Sequence, residues 1–502
     1  MKYRLVVNVI GFILFLLSVS MIFSAGWSLY FKTDANFQRD FMAIIKSVLI
    51  TFSSGVILFF GTYQKKKEKL SVRDGFAIVT LGWILMTFYS ALPFYFSDMG
   101  SYTDCFFEAM SGLTTTGASI LNNIESLSHG ILFWRSFTHF IGGMGIIVFS
   151  IAILPLLGVG GMQLYKAEVA GPTADKLTPR IRQTAKYLWL IYLGLILSMT
   201  LILYIEGKIL DIKKLDFFHS ICHAFGTIGT AGFSTFNASI AAFESSVVTW
   251  TFIIFMFLSA TNFTLHFVFL TRGSFDYLKN SEFKIYIKLI FFVAFFFFVG
   301  ILNIDLIDSA TNQKINLYEK LESAFFYSVS FISTTGFTFT NYMEWNEASL
   351  IVIFILLFLG GCAGSTTGGI KLVRTLLLFK YIRSTIKKII HPNGVYPIKI
   401  GNKEISSDII QSVLGFYFIY IIIFIFLSII ISLTSSTDFI SSLAVSASTI
   451  GNIGPGIGII GPLGNWSEFT DLTKWILSFS MLLGRLEIFT VIILFSKTYW
   501  KR

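Results

Sequence analysis

Charge is what this sequence has least of. Only 13% of its 502 residues are Asp, Glu, Lys or Arg, against about 25% in an average soluble domain. A water-soluble fold of this length is excluded, because there is too little polar side chain to cover it. Cysteine is scarcer still: Cys105, Cys222 and Cys362 lie in or beside apolar segments with no paired spacing. That excludes a disulfide framework and a zinc site and leaves three inert packing residues. What is abundant is apolar, 54% of the chain, with 56 Phe, 20 Tyr and 9 Trp, a load that only lipid accepts around most of a perimeter. The net charge of +10 does not indicate nucleic acid, because the basic residues form short tracts between apolar runs. That distribution is the positive-inside pattern of a polytopic membrane protein.

Ten stretches approach the roughly 20 apolar residues needed to cross a bilayer, at 6–30, 43–61, 75–96, 131–157, 187–206, 247–271, 284–304, 348–378, 409–433 and 471–497. The first is longer than a signal-peptide core and reads as a retained helix. Basic tracts fix sidedness. Lys65, Lys66, Lys67 and Lys69 follow the second span, Lys166–Lys186 the fourth, Arg272–Lys288 the sixth, Arg383, Lys387 and Lys388 the eighth, and Lys501 and Arg502 end the chain. All fall on one side, which makes both termini cytoplasmic and sets the chain in the cytoplasmic (inner) membrane as a multi-pass protein.

Four of the outside loops open with apolar stretches too short to cross, at 103–113, 214–227, 317–331 and 438–449, and each reads as a re-entrant half-helix. Each leads into a polar loop with glycine: Thr114-Thr115-Thr116-Gly117, Thr230-Ala231-Gly232-Phe233, Thr334-Thr335-Gly336-Phe337 and Asn452-Ile453-Gly454. The loops recur at near-even intervals, the mark of a diverged internal repeat. The expected fold is therefore all-α, with four tandem span, half-helix, loop and span units around a central pore. The expected units are 1–70, an N-terminal helix pair; 71–160, repeat one; 161–275, repeat two with its preceding cytoplasmic loop; 276–400, repeat three with a broken second span; and 401–502, repeat four.

Irregular backbone at membrane depth is tolerated only where it is buried in protein or lines water. Four such loops around one axis would present rings of carbonyl oxygens, with Gly117, Gly232, Gly336 and Gly454 free to take the φ that turns those carbonyls inward. The half-helix C-termini would point there too, favouring a monovalent cation. No carboxylate ring is present, which argues against a divalent-selective pore. The alternative, small residues merely packing helices, must then account for four loops in register.

Gly360–Gly369 interrupts the eighth span with a glycine density no continuous helix would choose, and Gly364, Ser365, Thr366, Thr367, Gly368 and Gly369 would fold below the third loop as a gate or pack as a kink. No P-loop ending is present. Arg485, in the middle of the tenth span, needs a partner or water; Glu487 lies off its helix face, so another span supplies the partner. Glu108 and His223 stand at equivalent places before Gly117 and Gly232 and would brace the loops from behind. His139 and His266 read as satisfied hydrogen-bond partners. Asp104, Asp216 and Asp438 start three half-helices as caps. An intramembrane enzyme using Glu108, His139, His223 and His266 would need two of them within hydrogen-bond distance, and no nucleophile and base spacing supports one. A secondary solute transporter with discontinuous helices is disfavoured by four repeats entering from one side.

The four-repeat pattern resembles the Trk/Ktr/HKT superfamily of potassium transporters. The likeness covers essentially the whole chain. It includes Gly161–Glu168, Gly171-Pro172 and Asp175–Arg180, Trp134-Arg135-Ser136, Ile141–Gly145, Gly364–Lys371 and Asn452–Gly456. The N-terminal helix pair points to its TrkH branch rather than the shorter KtrB type. The resemblance implies potassium as the transported ion, since glycine stands at all four filter positions. It also implies a gating role for the interrupted segment and Arg485, a TrkA-like cytoplasmic regulatory ring with nucleotide-binding RCK domains docked on the basic loops, and a homodimer. Passive conduction and symport with protons or sodium stay open.

Overall fold

A computed structural model describes residues 1–63, 71–152, 181–306, 314–401 and 403–501. The Lys65–Lys69 tract, the Gly161–Arg180 segment, Arg502 and the unit boundaries near 70 and 160 lie outside these residues. The described chain is helical, apart from a two-residue hairpin pairing Lys399–Ile400 with Lys403–Glu404. Among the described residues six helices are long and apolar enough to cross a membrane: Tyr3–Tyr30, Phe37–Gly61, Arg73–Phe96, Ala185–Ile209, Ser281–Ile301 and Ser407–Ser435. Their outer faces leave large apolar residues such as Phe291, Phe292, Phe295, Phe418 and Phe426 exposed, as a lipid-facing belt requires. The expected fourth span is the helix His129–Ala152.

The short apolar stretches are the half-helices Tyr102–Leu113, Phe217–Ile228, Leu317–Ile332 and Phe439–Gly451. Their starts are capped as the sequence suggests. Ser101 and Asp104 form a capping box, Asp216 and Asp438 accept from His219 N and Ser441 N, and in the third half-helix Asn316 and Glu319 form a second box. Asp104 also pairs with Lys474 at 2.6 Å, joining the first repeat to the last.

Among the described residues three spans are broken, where a break was expected only in the eighth. The eighth divides as foreseen, into Glu347–Leu356 and Leu372–Ile390 with irregular chain between. The sixth bends by 94° between Ser246–Ser259 and Phe263–Arg272. No glycine or proline marks that bend; Asn262 makes it by capping the second helix, accepting from Thr264 N at 2.8 Å. The tenth bends by 111° after Asp471–Arg485. There Glu487 and Ile488 take φ of 56° and 53°, and Ile488 N donates to Leu483 O at 2.8 Å, a Schellman turn. Arg485 therefore ends a helix instead of lying mid-span.

Candidate functional site

Each half-helix ends in the same way. The amide before each loop glycine reaches back to the residue five earlier: Thr116 N to Ser111 O, Ala231 N to Gly226 O, Thr335 N to Ser330 O and Ile453 N to Ser448 O. The residue before that amide is left-handed, with Thr115, Thr230, Thr334 and Asn452 at φ of 52°, 53°, 52° and 52°. These are four Schellman turns, three with a β-branched residue in a region that costs about 1–3 kcal/mol. With the N–H groups turned back into the helices, the loop carbonyls are left facing away from them.

The glycines then close a ring. Gly117, Gly232, Gly336 and Gly454 have φ of 80°, 79°, 75° and 93°. A Cβ on Gly117 would fall closer than 3.0 Å to Ala231 O, on Gly232 to Thr335 O, on Gly336 to Ile453 O and on Gly454 to Thr116 O. Each loop thus seats its glycine on the carbonyl of the next, and the fourth seats on the first. The residues that follow the glycines line a shared mouth, a cavity of about 430 Å³ touched by all four glycines and by Ser119, Ser234, Thr338 and Pro455.

Behind the ring runs a buried network. Arg135 Nε donates to Glu108 Oε1 at 2.7 Å and its Nη1 to Ser234 O at 2.7 Å, while its guanidinium lies 3.6 Å over the Phe233 ring. Glu108 accepts also from Ser119 Oγ and Ile120 N, and His223 Nε2 meets Ser234 Oγ at 2.9 Å. Glu108 and His223 therefore do sit behind the loops. Tyr327 holds the same register before Gly336 and accepts from Phe339 N and Thr340 N at 2.9 and 3.0 Å. It and Arg135 were not singled out as braces; the shared register would have found Tyr327. His266 is satisfied by Tyr277 Oη and Leu258 O. His139 is not: among the described residues neither ring nitrogen has a partner, and the ring instead stacks on Phe233 at 4.3 Å between centroids. The two unpartnered nitrogens overturn the expected hydrogen-bonded role. No two of Glu108, His139, His223 and His266 hydrogen-bond one another.

The interrupted segment lies against the residues that precede the glycines. Thr366 Oγ1 donates to Ile228 O at 3.0 Å, and Gly368 N to Thr334 Oγ1 at 2.8 Å. Ser365 Oγ pairs with Thr367 Oγ1 at 2.9 Å, while Gly364 and Gly369 take φ of 71° and 61°. Arg485, 2% exposed, donates from Nη1 to Thr366 O at 2.7 Å and from Nη2 to Gly142 O at 3.1 Å. Its partners come from two other repeats, as expected, but they are carbonyls. Glu487 belongs to Arg374, at 2.6 Å.

A bilayer-spanning helical chain whose four re-entrant loops close on one axis defines a polytopic membrane transport protein, not an enzyme. A family model described as TrkH, a cation transport protein, matches residues 40–502. The chain belongs to the TrkH family. It is 39% identical over 505 residues, the full length of both chains, to the Trk system potassium uptake protein TrkH of Escherichia coli K12. It is 33% identical to TrkG of the same organism, over 99% of each chain. The crystal structure of the potassium transporter TrkH from Vibrio parahaemolyticus superposes with a TM-score of 0.86 at 34% identity, covering 100% of both chains.

Proposed function

We propose that this chain is the membrane subunit of a potassium uptake system, conducting potassium into the cell across the cytoplasmic membrane. Thr114–Gly117, Thr230–Phe233, Thr334–Phe337 and Asn452–Gly454 serve as its selectivity filter. The single observation that carries the reading is the closed ring in which each glycine seats on the next loop's carbonyl, because carbonyl oxygens in a fixed ring replace the hydration shell of a monovalent cation. Relatives named as potassium uptake proteins support potassium as that cation. Gly364–Gly369 and Arg485 form the gate: the loop lies across the path behind the filter, and the buried guanidinium adds positive potential there. The five units set out from the sequence are its working parts, with both termini cytoplasmic, a second copy completing a homodimer, and a TrkA-like RCK ring docking on the basic loops to regulate the gate.

Cation flux into liposomes tests this. Purified chain is expected to pass potassium and rubidium ahead of sodium. Gly117→Ser or Gly336→Ser is expected to lower that preference, since a side chain at these φ values costs about 1–2 kcal/mol and displaces the neighbouring carbonyl. No flux of any cation, or flux indifferent to both substitutions, would remove the ring from the mechanism.

A further inference from the structure

The irregular chain between Leu356 and Leu372 hangs from one carboxylate of another helix. We propose that Glu282 is the latch of this intramembrane loop, a positioning residue that acts on the path through the loop and touches no transported ion. The proposal rests on reading the loop as a gate.

Glu282 lies in the first turn of Ser281–Ile301 and is 4% exposed. Its Oε1 accepts from Ala363 N at 2.9 Å and from Val373 N at 3.1 Å. These amides flank the Gly364–Gly369 segment on either side, so a single oxygen closes the loop at its neck. A short parallel pairing closes the neck on the side next to it, Gly360 N donating to Ile370 O at 2.9 Å, Ile370 N to Phe358 O at 3.0 Å and Leu372 N to Gly361 O at 3.2 Å, and Glu282 adds the one side-chain tie that spans both flanks. Lys371 donates its Nζ into the loop, to Thr367 O and Oγ1, and its charge also acts on Glu282.

The other attachments lead elsewhere. Beside its bonds to the half-helix ends at Ile228 O and Thr334 Oγ1, the loop tip is held by Arg485 through Thr366 O, and the helix after the loop by Glu487 through Arg374. These last two ties end on the break in the tenth span, where Glu487 and Ile488 are left-handed. Tip and following helix are therefore coupled to one strained turn, and a shift of that turn carries both. The neck is tied elsewhere, by Glu282 and by the bend of the sixth span, where Cys362 N donates to Ala260 O and Phe263 N to Gly364 O, both at 3.0 Å. Glu282 is thus the side-chain anchor among the fixed points against which the tip is held across the path. One side-chain oxygen accepts both bonds there at once. Removing it leaves two buried N–H groups without an acceptor, which favours any arrangement in which the loop opens toward water.

The test is rubidium flux through the full chain in liposomes without a regulatory partner, with the potassium to sodium ratio measured alongside. Glu282→Ala is expected to raise flux on the order of ten-fold, the scale of one lost buried hydrogen bond on a two-state gate, at an unchanged ion ratio. Glu282→Gln keeps an acceptor at the same reach and is expected to stay within about two-fold of wild type. Glu282→Ala indistinguishable from wild type, Ala and Gln alike, or a flux gain with a fallen ion ratio each overturns the latch; the last would mean general loosening. If Glu282→Ala does not fold, Glu282→Asp replaces it under the same outcomes, because one methylene less cannot reach both amides. A wild-type chain that conducts and responds to Gly117→Ser while the Glu282 variants do nothing sinks the latch alone. A wild-type chain that conducts nothing sinks both readings.

Discussion

Tyr327 stands nine residues before Gly336, the place Glu108 and His223 hold before Gly117 and Gly232. Three chemistries meet one demand there, which is to grip the strand that leaves the loop. Glu108 does so with a carboxylate, and a buried carboxylate needs Arg135 to offset its desolvation. His223 does so with a neutral-capable ring and Tyr327 with a hydroxyl. Valine fills this place in the fourth repeat, and Ser448 takes over by donating to Gly454 O at 2.7 Å. Glu108 and His223 were legible because a polar residue in an apolar half-helix demands a reason. Tyr327 was legible only from its register, nine residues before its glycine, because its ring fits the aromatic run around it and only the hydroxyl carries the role. Tyr327→Phe keeps the ring and takes the acceptor from two half-buried amides, a loss of about 1 kcal/mol. The expected result is a lower Tm for the purified chain with a reduced potassium to sodium flux ratio. An unchanged Tm would mean that the third loop is held by its ring contacts alone.

The half-helix is the element on which the site is built, and its end decides the loop. A Schellman turn buries the last amides in the helix and releases the chain with carbonyls outward, so the four-loop geometry follows from four identical terminations. The half-helices and the interrupted eighth span were legible in the sequence, because short apolar length and glycine density are visible without coordinates. The bends of the sixth and tenth spans were not. Their turning residues, Ala260 to Asn262 and Leu486 to Ile488, include no glycine or proline, and the bends are made by an Asn cap and by left-handed non-glycine residues that tertiary contacts hold in place. The same strain is present at Thr115, Thr230 and Thr334, whereas the fourth loop uses Asn452, a residue that tolerates this region. Thr230 Oγ1 bonds only its neighbour Gly229 O among the described residues, so Thr230→Asn removes strain at little loss. Its expected effect is a gain of about 0.5–1 kcal/mol, read as a raised Tm with the ion ratio kept. A lowered Tm would show that the threonine methyl is packed in a way the turn depends on.

At the scale of the whole molecule the ring has one place where it must be closed between its most distant parts. Successive repeats meet through adjacent chain, but the last must find the first across more than 300 residues, and sequence reading could only assume this from the pseudo-symmetry. The structure fastens that junction with polar groups: Lys474 to Asp104 at 2.6 Å, Trp466 N to Ser119 O at 3.0 Å, and Asn452 Nδ2 to Thr116 Oγ1 at 3.0 Å, while the second Asn452 Nδ2 bond, to Met481 O at 2.9 Å, stays within the fourth repeat. Asn452 is the innermost of these, since its partner Thr116 supplies the carbonyl on which Gly454 sits. Its side chain therefore sets how far the first and fourth carbonyls stand apart. Asn452→Gly isolates that function, because glycine accepts the same left-handed backbone while both amide donations vanish. Thr230→Gly is its control, at the matching place in the second loop where the side chain makes no bond to another repeat. If ring closure sets selectivity, Asn452→Gly lowers the potassium to sodium flux ratio as Gly117→Ser does, and by clearly more than Thr230→Gly does. Equal losses from both glycine variants would assign selectivity to the stiffness of each loop separately and not to the junction between first and last.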